Sequence, residues 1–246
     1  MRTNMADIVP IEINPAVQLS KSAHPDIASI IVTDHDARYD LSWDRFVRLN
    51  AAAEAIKKVA DRQARILDVG GFDGALALFL PDFEIDLIDP ATTSGSIFTA
   101  EIANDRYDIV VSIDALEHVH PQRRMEFLDK IASIAGASII LNYPCRQSDE
   151  AQKLVLEATG NSLIEEHVDF GLPDTELVMD SLKALGFTCE LLPHASLAIW
   201  TSQYITQHNS PETAKKLNRH LVNHHSLEPF STPLYHLLIC KRAESL

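Results

Sequence analysis

Arg65 to Gly74 reads RILDVGGFDG, and this stretch decides the fold. Ile66, Leu67 and Val69 form an apolar strand that runs into a glycine-rich turn, with Asp68 just before it. A helical segment over Ala75 to Leu80 is predicted to follow. Glycines at Gly70, Gly71 and Gly74 let a backbone take positive φ and approach a ligand closely. A helix start presents unpaired N–H groups. About 20 residues on, a second strand (Glu84 to Ile88) ends in Asp89, the spacing that suits an acidic residue to ribose hydroxyls. Together these features predict a nucleotide-like cofactor across the ends of two parallel strands.

Strand and helix alternate outward from this turn. Further strands are predicted at Ser96–Thr99, Tyr107–Ile113 and Ser138–Asn142, and a helix at Arg123–Ala135. DIVVSI is almost wholly apolar, as a strand buried on both faces of a parallel sheet requires. The alternation predicts right-handed crossovers and an α/β, doubly wound, mostly parallel sheet. Upstream, a helix is expected over Ser42–Val59, with Trp43, Phe46, Val47, Leu49 and Ile56 on an apolar face. Residues 1–40, with Pro10, Pro15 and Pro25, read as an irregular lead-in. Downstream, Asp174 is placed to cap a helix over Thr175–Leu185 that Gly186 ends. Strands at Phe187–Leu192 and Tyr235–Lys241 flank helical stretches at Leu197–Gln207 and Glu212–His225. This pattern predicts a terminal antiparallel strand pair with a helical lid between its strands. Residues 1–60 are thus expected as lead-in and helix, and 61–246 as one domain with insertions near 144–173 and 193–233.

Composition narrows the function classes. The 21 Lys and Arg against 35 Asp and Glu leave a net charge of −14, which disfavours nucleic acid phosphates and anionic lipid. No apolar run reaches membrane-span length, and MRTNMADIVPIEINP lacks the apolar core of a signal peptide. Three separated cysteines (Cys145, Cys189, Cys240) point to a reducing cytoplasm and argue against a disulfide framework or thiolate zinc site. The expected partner is therefore a small-molecule or glycan substrate, with no nucleic acid and no membrane insertion. A homodimer is left open.

Three motifs in order make the chain resemble a class I S-adenosylmethionine-dependent methyltransferase. DVGGFDG resembles the first motif, acidic-x-Gly-x-Gly-x-Gly, with its middle glycine one place early at Gly71. IDLIDP resembles the second motif, and RYDIVVSIDALEHV the fourth-strand motif. The resemblance implies S-adenosylmethionine as cofactor, held by Asp68, Gly70, Gly71, Gly74, Asp89 and Asp114. The plainer roles are a capped turn for Asp68, an ordinary tight turn for the glycines and a solvated loop for Asp89. Nicotinamide dehydrogenases share the opening logic, but GGFDG breaks their Gly-x-Gly-x-x-Gly spacing. The tail loosely resembles bacterial methyltransferases associated with cell-surface polysaccharide synthesis.

Asp114-Ala-Leu-Glu117-His118 is the segment best suited to chemistry. It follows the fourth strand of the motif order, at the carboxyl edge where doubly wound sheets place their sites. Catalysis is expected from His118, His167 and Glu117, with a histidine as base for a hydroxyl acceptor. Acid-x-x-Glu-His also resembles a motif that binds a divalent cation in some quinone O-methyltransferases. Elsewhere in the superfamily the same residues pack or floor the site, so no metal ligand is assigned. Glu165-Glu166-His167 offers either a positioning pair or a solvated charge run. His194, His224 and His225 lie in or near the second insertion, and Tyr143 is a candidate for the substrate pocket. A regulatory or scaffolding protein that binds the cofactor without catalysis is the reading from a different class.

Overall fold

The computed structural model describes residues 14–61 and 63–243. Among the described residues eight strands form one sheet. In chain order they are β1 (Val17–Lys21), β2 (Ala28–Val32), β3 (Ile66–Val69), β4 (Ile85–Ile88), β5 (Tyr107–Ile113), β6 (Ala135–Pro144), β7 (Phe187–Ser196) and β8 (Pro233–Arg242). Seven helices accompany them: α1 (Trp43–Val59), α2 (Arg124–Ile134), α3 (Asp149–Thr159), α4 (Ser162–Phe170), α5 (Thr175–Ala184), α6 (Leu197–Asn209) and α7 (Pro211–His224).

The strand order is β1-β2-β4-β3-β5-β6-β8-β7. The centre, β4-β3-β5-β6, is parallel. Each flank is antiparallel: β1 and β2 on one side, β8 and β7 on the other. Every residue of β3 is buried, and so is nearly all of β5, because helices cover both faces. One core joins α1, α6 and α7 to the sheet through Phe46, Ile56, Trp200 and Val222. The other joins α2 and α5 to the opposite face through Phe127, Ile131, Val178 and Leu182.

Several sequence expectations are corrected. The lead-in is not irregular over its described part: residues 17–32 form a hairpin whose second strand pairs with β4. Its β-branched run, SIIV, pairs with β4, whereas Ser96–Thr99, expected as a strand, joins no strand of the sheet. That segment turns instead, with Thr99 and Ala100 both donating to the Ser96 carbonyl. The Thr93 hydroxyl ties the same loop to the hairpin through the Asp26 carbonyl. Residues 1–13, where the absence of a signal segment was read, lie outside the described residues. Ala75–Phe79 is a short 3-10 turn, not an α-helix. All five residues are buried, and Pro81 disfavours helical backbone at the residue before it.

The cysteine expectation is also overturned, because Cys189 and Cys240 form a disulfide. They are 51 residues apart in sequence, yet the β7–β8 register sets them directly opposite. Sequence spacing cannot show a cross-strand pairing of this kind. Cys145 is free and buried.

In the chain-entropy picture a loop of this length contributes roughly 4 kcal/mol. Denatured, unreduced protein should therefore expose one alkylatable thiol, and three after reduction. Reduction should also lower Tm. Three thiols before reduction would refute the pairing.

Candidate functional site

The glycine turn after β3 takes its shape from three close approaches. Gly70 has φ +75°, and a Cβ there would meet the Ala115 side chain at 2.7 Å. A Cβ at Gly71 would collide with the Asp68 carboxylate. Gly74, at φ +72°, leaves room for Ile30 of the β1–β2 hairpin. Gly74 therefore packs against the hairpin, while Gly70 brings the first turn against the segment that follows β5.

Asp68 is buried, and its Oδ1 has no hydrogen-bond partner among the described residues. Burial, followed by the charges of Asp89 and Asp73, pushes its carboxyl up to about 7. A buried carboxylate oxygen without a partner suits a cationic ligand group. Asp89 Oδ2 accepts the Phe72 N–H at 3.1 Å, and its Oδ1 accepts those of Ala91 and Thr92 at 2.8 and 3.3 Å. Asp89 thus ties the glycine turn to the end of β4. Asp73, unremarked in the sequence, is buried and paired with Arg45 at 2.6 Å.

Asp114 follows β5 in left-handed backbone, φ +58°. It pairs with Arg48 at 3.1 Å. Burial works against its charge, but Arg48 holds the carboxyl below its ordinary value. Arg48 also meets Asp44 at 2.7 Å and the Tyr235 hydroxyl at 3.1 Å. Glu117 is wholly buried, and apart from the neighbouring Asp114 carboxyl neither carboxylate oxygen has a hydrogen-bond partner among the described residues. Burial, then the negative charge of Asp114, pushes its carboxyl well above the ordinary range.

His118 and His167 meet at this point. Their Nε2 atoms lie 3.2 Å apart. His118 Nδ1 contacts Glu166 Oε2 at 2.7 Å, and His167 Nδ1 contacts Gln152 Oε1 at 3.1 Å. Burial pushes the His167 imidazole down to about 4. Local sequence explains how His167 arrives. Gly160, in left-handed backbone, ends α3. Asn161 then caps α4 by accepting the N–H groups of Leu163 and Ile164. The resulting helical hairpin places Gln152 on one arm and Glu166 and His167 on the other.

A cavity of about 110 Å³ adjoins the pair, lined by Arg48, Asp114, His118, His167, Trp200 and Tyr204 among others. An outer depression of about 370 Å³ shares Asp44, Arg48 and Tyr204 with it and adds Asn161 and Gln207. A larger groove of about 1100 Å³ lies at the amino ends of β3–β5, lined by Arg65, Glu84 and Arg106, on the far side of the sheet from this chemistry.

The structure thus gathers Asp114, Glu117, His118 and His167, and sets Asp68, Gly70, Gly71 and Asp89 around the neighbouring turn. It does not bring Tyr143 to the cavity: that side chain is core, with its hydroxyl 3.4 Å from Thr175 Oγ1. His194 is engaged by Asn142 at 2.7 Å and does not line the cavity. His224 and His225 cluster with His220 around the end of α7, also outside it. Sequence analysis missed Arg48, Asp44, Gln152 and Tyr204. The i,i+4 pair Asp44/Arg48 near the start of α1 was the available signal.

No protein-family model matches the sequence, and no curated protein matches it. Among solved structures the chain is similar to a provisionally assigned sarcosine dimethylglycine methyltransferase from Galdieria sulphuraria, with TM-score 0.53, 14% identity, and 82% of this chain and 87% of that one covered. It is similar to a chain in the complex between the Haloferax volcanii Trm112 methyltransferase activator and a provisionally assigned methyltransferase, with TM-score 0.50, 11% identity, and coverage of 83% and 97%. It is also similar to the [4+2]-cyclase SpnF, with TM-score 0.51, 12% identity, and coverage of 83% and 84%. The chain therefore has the α/β fold that these methyltransferases and this cyclase share.

Proposed function

We propose that this chain is an S-adenosylmethionine-dependent methyltransferase that methylates a hydroxyl of a small polar molecule, with a sugar-type acceptor first and an aromatic hydroxyl second. One juxtaposition carries the proposal. The Asp114–His118 segment touches the glycine turn at Gly70–Ala115 and, at its other end, lines the cavity with His118. A methyl donor held by the turn and an acceptor held in the cavity would then lie on either side of one short segment. The SpnF likeness shows that this fold also hosts other chemistry, so the site and not the fold bears the argument.

The cofactor, when bound, supplies a methyl group already activated by a positive sulfur. The chain has to align, neutralise and exclude water. Asp68 offers its unpaired oxygen to the cofactor's ammonium group, and Asp89 stands at the end of β4 for the ribose hydroxyls. Gly70 and Gly71 supply the close backbone approach. Asp114, tied to Arg48, joins the two halves of the site. His118 and His167 line the cavity and face the acceptor hydroxyl, with Glu117 buried beside them, and together they promote loss of its proton, an effect of roughly 10²–10⁴ in rate. Trp200 and Tyr204 of α6 wall the cavity as a lid would, which favours an in-line approach without competing water. Asn161, Gln207 and Ser42 in the outer depression suit a polyhydroxylated acceptor.

Calorimetry should show one S-adenosylmethionine bound per chain, and sugar or phenolic acceptors should yield S-adenosylhomocysteine. His118→Ala and His167→Ala should each lower kcat by roughly 10²-fold or more while leaving cofactor affinity nearly unchanged. Full turnover in both variants would remove them from the chemistry. Cofactor binding without turnover on any acceptor would instead favour a scaffolding role.

Asp68 gives a separate test. Its carboxyl is raised in the folded protein, so the native state holds that proton more tightly than the unfolded chain does. The contribution of Asp68 to the stability of the ligand-free protein should fall as pH rises from about 4 to about 7 and level off above, against the opposite slope added by the depressed His167 and His194 imidazoles. Asp68→Asn should remove that decline, raising stability at pH 8 by roughly 1–4 kcal/mol, while weakening cofactor binding. Thermal melts across pH with both proteins decide it: parallel curves would show that Asp68 carries no such penalty.

A further inference from the structure

We propose that Glu117, His118 and His167 form a binding site for one divalent transition-metal cation. Their ligand atoms lie within 4.8 Å of one another. The argument starts from the protons. His118 Nδ1 faces a carboxylate oxygen of Glu166, and His167 Nδ1 faces the amide oxygen of Gln152. Gln152 in turn directs its amide nitrogen to Ser148 Oγ at 3.4 Å, which orients the amide oxygen toward the ring. Both Nδ1 atoms are therefore donors. Each neutral ring then carries a lone pair on Nε2, and these two lone pairs face each other at 3.2 Å. Two acceptors so placed need either a proton or a cation between them.

Glu117 supplies the charge such a centre would require. It is completely buried, and apart from the neighbouring Asp114 carboxyl neither of its oxygens has a hydrogen-bond partner among the described residues. A buried carboxylate left without partners is costly unless a proton or cation joins it. Arg48 does not serve, because it is committed to Asp114, Asp44 and Tyr235.

This set differs from the one the Asp-x-x-Glu-His spacing suggests. Asp114 goes to Arg48, and its place is taken by His167, which comes from α4 about fifty residues on. Two imidazoles and one carboxylate suit zinc, manganese, cobalt or iron better than magnesium or calcium. Glu166 and Gln152 are the outer partners that orient ligating histidines in metal sites. The adjoining cavity, lined by both histidines, leaves a coordination position open on that side. The cation itself rests on this geometry alone. That its open position takes the acceptor hydroxyl rests on the methyltransferase reading.

The test uses the full chain, stripped with a chelator and titrated with zinc, manganese or cobalt chloride by calorimetry and native mass spectrometry. One ion should bind per chain, and cobalt should give a visible absorption band. Glu117→Gln and His167→Gln should each weaken binding on the order of 100-fold or more, and Glu166→Gln by roughly 10–100-fold. His225→Ala, outside the cavity, should bind as the parent does. Circular dichroism confirms that each variant is folded, and any unfolded one is replaced by His118→Gln. No ion bound, or equal binding by the ligand variants, would overturn the proposal. S-adenosylmethionine affinity is measured on the same samples, and its absence would count against the methyltransferase reading and not against the metal site.

Discussion

The largely buried guanidinium of Arg48 is the constraint around which the site is organised. It reaches from α1 to Asp44 on its own helix, to Asp114 after β5 and to Tyr235 on β8. Three separate parts of the chain are thereby pinned at the carboxyl edge of the sheet. Removing one partner from a largely buried charge cluster is destabilising, because the remaining charge is left uncompensated. The cluster also pairs with Asp114, which takes left-handed backbone at the end of a nearly fully buried strand. Everything after Asp114, including Glu117 and His118, takes its direction from there.

That arrangement divides two neighbouring carboxylates into different roles. Asp114 is compensated and stays charged. Glu117, three residues on, has only the Asp114 carboxyl against its own, with no other hydrogen-bond partner among the described residues. Environments that push two adjacent titratable groups apart are a mark of functional sites. Here the separation follows from the reach of one arginine. The facing histidines are likewise set by their surroundings: Glu166 and Gln152 engage their Nδ1 atoms, and their Nε2 atoms turn to each other.

The central strands, the glycine turn and the order of motifs were legible because they depend on local rules. Apolar runs mark strands buried on both faces, and Asp174 and Gly186 bound a helix by capping chemistry that is written locally. The hairpin over residues 17–32 was obscured by prolines and polar residues, and its strand character emerges only from pairing with β4. The Cys189–Cys240 bond was invisible for the same reason, since register is a property of two strands together. His118 and His167 could each be named from their acidic neighbours. Their meeting could not, because it depends on the tight reversal at Gly160–Asn161 and on how the α3–α4 hairpin packs.

The amino-acid sequence by itself determined the parallel centre of the sheet, the shape of its first turn and the residue types available for chemistry. These follow from hydrophobic patterning and backbone sterics, which act over a few residues. Only the tertiary structure decided which carboxylate Arg48 neutralises, which histidine faces His118 and which edge strand closes the sheet. Those choices depend on burial and on contacts between segments tens of residues apart, where desolvation makes each unpaired charge expensive and so selects its partner.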